Sequence, residues 1–104
     1  MHWLLQIETE FNRFQLGEHP GRTRTIARRI AGIALKEWYK SSGDDYVRLL
    51  QQASDDTSLP DDVRSSSARL AARLSSDFTS QSVDPIGDAK MIVEFVKKRL
   101  KKDN

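Results

Sequence analysis

The chain has 104 residues, no cysteine, and 17 Lys and Arg against 15 Asp and Glu, so its formal net charge is +2. This length fits one domain with a single modest core, and the absence of cysteine excludes disulfide frameworks, cysteine-based zinc sites and thiol catalysis. No apolar run approaches the roughly 18 residues of a membrane span, and segment 1–16 lacks the apolar region of a signal peptide. We expect one cytoplasmic domain, residues 1–104, with no metal, cofactor or membrane contact.

Helical periodicity in the first forty residues predicts two helices, over 3–16 and 22–40. In the second, the apolar and small side chains fill an arc of about 160°, which is typical of a central helix that contacts two or more neighbours. Gly32 falls outside this arc, at about 280°. The wheel therefore predicts that alanine at position 32 is neutral or stabilising by up to about 1 kcal/mol.

Three further helices are predicted in the rest of the chain, over residues 44–53, 60–78 and 85–101. The acidic pair 44–45 lies in the first turn of one of them, where the helix dipole favours negative charge. Ser58 and Asp61 have the spacing of a capping box. Asp84 is a typical N-cap, and Pro85 suits the first helical position.

The pattern as a whole predicts an all-α, single-domain bundle of about five helices, because no segment shows sustained period two and the connections are short. Charge is uneven along this bundle. Segment 41–62 carries one basic and six acidic residues, a net charge of −5, whereas the segments on either side are net positive. A dipolar molecule is expected, and not a uniformly cationic nucleic-acid binder.

The second helix begins with a cluster of arginines that is the candidate anion-binding site: Arg22, Arg24, Arg28 and Arg29. Free N–H groups and the positive dipole at a helix start favour anions, and guanidinium groups suit phosphate or carboxylate. Thr23 or His19 could cap this start. The arginines could instead lie along the edge of the core and pair with the acidic 44–62 segment, or contact a protein partner. The basic run 97–102 could touch phosphate or be a solvated helix end.

Catalytic signals are sparse. Arg13 and His19 have an Arg-x5-His spacing, and helical RNases of the HEPN superfamily use an Arg-x4–6-His pair at a composite dimer site. Here the pair spans a break at Gly17, and Phe14 follows the arginine where that family favours a polar residue. Glu37 lies within the apolar arc, where a carboxylate either has a raised pKa or reaches solvent or a basic side chain. We assign no catalytic residue.

Segment 21–34 resembles a signature of a small, uncharacterised prokaryotic all-helical family, with the pattern Gly-Arg-x-Arg-x-x-Ala-Arg-Arg-x-Ala-Gly. Segment 83–100 is similar to the last helix of HEPN-type bundles, in which an Asp-Ala step begins an Ile/Val-rich helix. Both resemblances imply a small helical bundle. The HEPN resemblance also implies an RNase or a non-catalytic partner of a minimal nucleotidyltransferase.

Two functional hypotheses follow. The first is a non-enzymatic interaction module that binds a protein partner or, weakly, a nucleic acid or other polyanion through the Arg-rich helix. The alternative is a HEPN-like ribonuclease or a nucleotidyltransferase-associated protein. A homodimer is compatible with either hypothesis.

Overall fold

The computed structural model describes residues 2–15, 20–43, 45–72 and 84–102, and of residues 14–15, 20–22 and 101–102 it describes the backbone alone. Five helices follow one another in this part of the chain: α1 (Trp3–Gln15), α2 (Pro20–Tyr39), α3 (Tyr46–Asp55), α4 (Asp61–Ala71) and α5 (Pro85–Lys102). No strand occurs in these ranges. The described residues form an all-α bundle of five helices, as the periodicity predicts.

Helix α2 is the centre of the bundle and contacts each of the other four helices. Its middle turns are buried all round, and its buried hydrophobic residues are Ile26, Ala27, Ile30, Ala31, Ile33, Ala34 and Leu35. The small alanine side chains let neighbouring helices approach closely. Ile30 of α2 and Leu70 of α4 are both completely inaccessible to solvent, which confirms their predicted place in the core.

The prediction for Gly32 is wrong. Gly32 is buried, and a Cβ added there would lie 2.5 Å from the Cβ of Tyr46, with two atoms of the Tyr46 ring closer still. The wheel placed this side of α2 toward solvent, because it counted only the apolar residues of α2 itself. The first turn of α3 packs on that side. The Tyr46 side chain fills the space that a side chain at position 32 would occupy.

Local capping signals fix some helix ends and not others. Asp84 accepts a hydrogen bond from the Gly87 N–H at 3.0 Å, and α5 begins at Pro85, both as predicted. Helix α3 begins two residues later than predicted, because Asp45 stands before the helix as its N-cap and accepts from the Arg48 N–H. That single bond fixes where α3 begins.

The predicted capping box at the start of α4 is also wrong. Pro60 is the N-cap and makes no side-chain capping bond. Both the N–H and the hydroxyl of Ser58 donate instead to Oδ1 of Asp56, at 3.0 and 2.6 Å. The Asp56 turn therefore takes the Ser58 N–H that the capping box would have directed to Asp61, and the Ser58 hydroxyl donates to Asp56 where the capping box needs it as an acceptor.

Helix α2 ends in a left-handed turn at a residue that is not glycine. Lys40 has φ 54°, the Ser41 N–H donates to the Lys36 carbonyl at 3.0 Å, and the Lys40 N–H donates to the Glu37 carbonyl at 3.4 Å. This is the Schellman arrangement, in which glycine is usual because a side chain strains the left-handed backbone.

Candidate anion-binding site

Arg24 and Arg28 lie one turn apart on α2, and both guanidinium groups reach the C-terminal end of α4. The Arg28 Nε donates to the Leu70 carbonyl at 2.6 Å, and its Nη2 donates to the Ala72 carbonyl at 2.9 Å. The Arg24 Nη2 donates to the same Ala72 carbonyl. The i, i+4 spacing thus brings two cations to one acceptor, on the side of α2 that faces α4.

These bonds explain where α4 ends. The last carbonyl groups of a helix have no intrahelical donor, and here α2 supplies donors to two of the carbonyls at this end. Ala72 is already extended, with φ −64° and ψ 143°. The prediction that the helix continues to residue 78 is therefore wrong at Ala72, and its remaining part, 73–78, lies outside the described residues.

The two guanidinium groups keep their positive charge uncompensated by a carboxylate in the described part of the chain. Their acceptors are neutral carbonyls at the negative end of the α4 dipole, and no described Asp or Glu forms an ion pair with Arg24 or Arg28. Burial, and then the charge of Arg24, lowers the pKa of the Arg28 guanidinium. The Nε of Arg24 is buried without a hydrogen-bond partner. A cationic pair with unused donors results.

Arg29 points elsewhere and its charge is neutralised. Its Nη1 lies 3.3 Å from Oε1 of Glu10 on α1, and Arg13 lies 3.5 Å from Oε2 of the same carboxylate. The expectation that the arginines of α2 pair with the acidic 44–62 segment is therefore wrong for Arg24, Arg28 and Arg29. Their partners are helix-end carbonyls and a residue of α1, which charge counting along the sequence does not identify.

Two other predictions concern the start of α2. The helix begins at Pro20, so Thr23 lies inside it, and the prediction that Thr23 caps it is wrong. The second predicted cap, His19, lies outside the described residues, and so does the catalytic pairing of Arg13 with His19. For Arg22 the structure gives a helical backbone position only.

Sequence reasoning missed a second polar cluster, between α4 and α5. Asp88 is only 9% exposed. It accepts hydrogen bonds from the Nη2 of Arg69 at 2.7 Å and from the hydroxyl of Ser66 at 3.2 Å. Asp88 and Ser66 lie among the apolar positions of their helices. This placement is the one feature of the sequence that could have indicated their burial. Glu37, by contrast, reaches solvent and pairs with Lys40 at 2.9 Å.

A third polar group joins the end of α2 to the α3–α4 turn. The hydroxyl of Tyr39 donates to Oδ2 of Asp56 at 2.6 Å. Hydrogen bonds from Ser58, followed by the one from Tyr39, hold the pKa of the Asp56 carboxyl below its ordinary value. Burial, and then the bond to Asp56, raises the pKa of Tyr39. This contact ties α2 to the turn that replaces the capping box.

Within the described ranges there is no group of three or more His, Asp or Glu that could hold a metal ion, and no helix there is long and apolar enough to cross a membrane. No protein-family model, curated protein or solved structure matches this chain.

Proposed function

We propose that this chain is a non-enzymatic binding module that takes up a polyanion at the first half of α2, through Arg24 and Arg28 together with Arg22. The observation that carries the proposal is the pairing of two like charges on neutral carbonyls, without a carboxylate among the described residues. Burial is the larger cause of the lowered pKa of the Arg28 guanidinium, and repulsion from Arg24 is the second. A bound anion would relieve that repulsion.

Donors remain for such a ligand. A guanidinium group has five N–H bonds, and the contacts to Leu70 and Ala72 use the Nε and Nη2 of Arg28 and the Nη2 of Arg24. The Nη1 groups of both arginines make no hydrogen bond to a described residue. Both side chains are only partly buried, so a ligand can approach without unfolding the bundle.

The test is an NMR titration of the labelled protein with sodium tripolyphosphate at low salt. We expect amide shifts clustered at 21–29 and a dissociation constant of about 10⁻⁴ to 10⁻⁶ M that weakens steeply with salt. The double variant Arg24→Gln/Arg28→Gln should lose these shifts, because glutamine can still donate to a carbonyl but carries no charge. Arg24→Lys/Arg28→Lys should retain most of the affinity, since it keeps both charges.

Arg48→Gln is the control for loss of one charge, because Arg48 is exposed on α3; it should bind as the unchanged protein does. Melting curves of all variants establish that they are folded. No shift at 21–29 at millimolar tripolyphosphate contradicts the proposal. Cleavage of a labelled RNA that is abolished by Arg13→Ala would contradict its non-enzymatic part and favour the HEPN-like ribonuclease.

A further inference from the structure

The solvent-facing side of α5 carries a row of lysines that are not part of the α2 site. The apolar side of α5 is buried in the core, through Ile86, Ala89, Ile92, Val93 and Val96. Lys90, Lys97 and Lys98 are exposed on the opposite side, and position 101, also lysine, continues the same register at i+4 from 97. We call Lys90, Lys97, Lys98 and Lys101 the α5 lysine row.

Three members of this row have described side chains, and their charges are not neutralised by ion pairs. Lys90, Lys97 and Lys98 form no ion pair with a described residue, and the one acid on this face is the exposed Glu94. The Nζ of Lys90 lies 5.7 Å from the ring centre of Phe11, which holds it beside α1. The basic Arg99 lies apart, 5.4 Å from the ring centre of Phe95.

We infer that the α5 lysine row binds the phosphate backbone of duplex nucleic acid, without reading its sequence. Positions 90, 97 and 101 lie along one line of the helix, with Lys98 beside it, and they span about 16 Å from the helical rise over eleven residues. Duplex DNA presents one phosphate per roughly 3.4 Å of each strand, so about four or five phosphates lie along that length. This inference does not depend on the α2 site, because it uses another helix.

Two other occupants fit the row less well. Single-stranded nucleic acid is usually held by aromatic side chains on which the bases stack, and the exposed positions of α5 offer none. An anionic membrane requires a helix with a free apolar side. The apolar side of α5 is buried, and Met91, at 41% exposure, is the one large apolar side chain of α5 among the exposed hydrophobics.

The test is fluorescence anisotropy with a labelled 20-base-pair duplex of mixed sequence, at salt concentrations from 20 to 200 mM. Contact with about four phosphates predicts a slope of log K against log salt between about −3 and −4. Lys97→Gln/Lys98→Gln should make this slope shallower by about 2 and weaken binding at least tenfold at 50 mM salt. A second duplex of different sequence should bind equally well.

The matched control is Lys40→Gln/Arg48→Gln, which also removes two exposed positive charges but from outside both proposed sites, and it should leave the slope for the duplex unchanged. In return, Lys97→Gln/Lys98→Gln should leave the tripolyphosphate shifts at 21–29 intact, so failure of either proposal is seen separately. The inference is overturned by an unchanged slope in Lys97→Gln/Lys98→Gln, by tighter binding to a single strand of the same length, or by tighter binding to phosphatidylserine vesicles.

Discussion

Replacing Gly32 by alanine should destabilise the protein, although helix propensity alone predicts the opposite. The added Cβ would lie 2.5 Å from the Cβ of Tyr46, well inside van der Waals contact. The Tyr46 Cβ is fixed to the backbone of the first turn of α3, so a change of side-chain rotamer cannot relieve the contact and the helix itself must shift. Overpacking of this kind costs about 1–3 kcal/mol, and alanine in place of glycine returns up to about 1 kcal/mol.

The net expectation is a loss of about 1–2 kcal/mol in the free energy of unfolding, measured by urea denaturation followed by circular dichroism. At this chain length, each 1 kcal/mol lowers the melting temperature by roughly 4–8 °C, so a decrease of roughly 4–16 °C is expected. Gly43→Ala is the control, because the nearest atom to a Cβ there is the Ser41 Oγ at 3.7 Å. That variant should be neutral or slightly stabilised, through the reduced entropy of the unfolded chain.

A double-mutant cycle identifies the contact responsible. Tyr46→Gly removes the three atoms nearest to the new Cβ, whereas Tyr46→Ala leaves the Tyr46 Cβ in place. In the Tyr46→Gly background, Gly32→Ala should therefore become neutral or stabilising by up to about 1 kcal/mol. If Gly32→Ala is already neutral or stabilising in the unchanged protein, α3 does not pack on this side of α2 as described and the reasoning fails.

Two further predictions concern the end of α2. Lys40→Gly should stabilise the protein by about 0.5–1 kcal/mol, because glycine relieves the left-handed strain at a partial cost in unfolded-state entropy. The control is Lys40→Ala, which also removes the exposed pair with Glu37 but keeps the strain. It should show no increase in melting temperature. Asp56→Asn should remove a contribution that the ionised Asp56 carboxylate makes to the free energy of unfolding at neutral pH. Since the folded-state pKa of Asp56 lies below its unfolded value, this contribution is present above the unfolded pKa of about 3.8 and is lost as pH falls through the folded one. The difference between the denaturation midpoints of the two proteins should therefore begin to shrink as pH falls below about 4, and a constant difference between pH 7 and pH 2 would contradict this.

The fold was predictable where a local interaction decides the structure. The α5 start needs only Asp84, Pro85 and the Gly87 N–H, all within four residues, and periodicity alone placed Ile30 and Leu70 in the core. The start of α4 was predicted to within one residue, but its capping was not. The Ser58 N–H has a carboxylate on either side of it in the sequence, Asp56 and Asp61, and the turn at Asp56 is stabilised by Tyr39 from another helix.

The sequence predicts which arginines form the candidate site, but not which groups they contact. The spacing of Arg24 and Arg28 places them on one side of α2, whatever lies opposite. Their acceptors are backbone carbonyls of α4, and every residue type carries such a carbonyl, so no sequence pattern marks them. The burial of Glu10 and Asp88 depends likewise on which helices become neighbours in space.

The capping of α4 by side chains of α2 makes the length of α4 a property of the whole bundle and not of its own sequence. A synthetic peptide of residues 60–78 contains no residue equivalent to Arg24 or Arg28, so nothing in the peptide marks Ala71 as its last helical residue. Substitutions at positions 24 and 28 consequently act on a helix end more than forty residues away along the chain. Natural variation at these positions should therefore move the end of α4, whichever residue type stands at position 72.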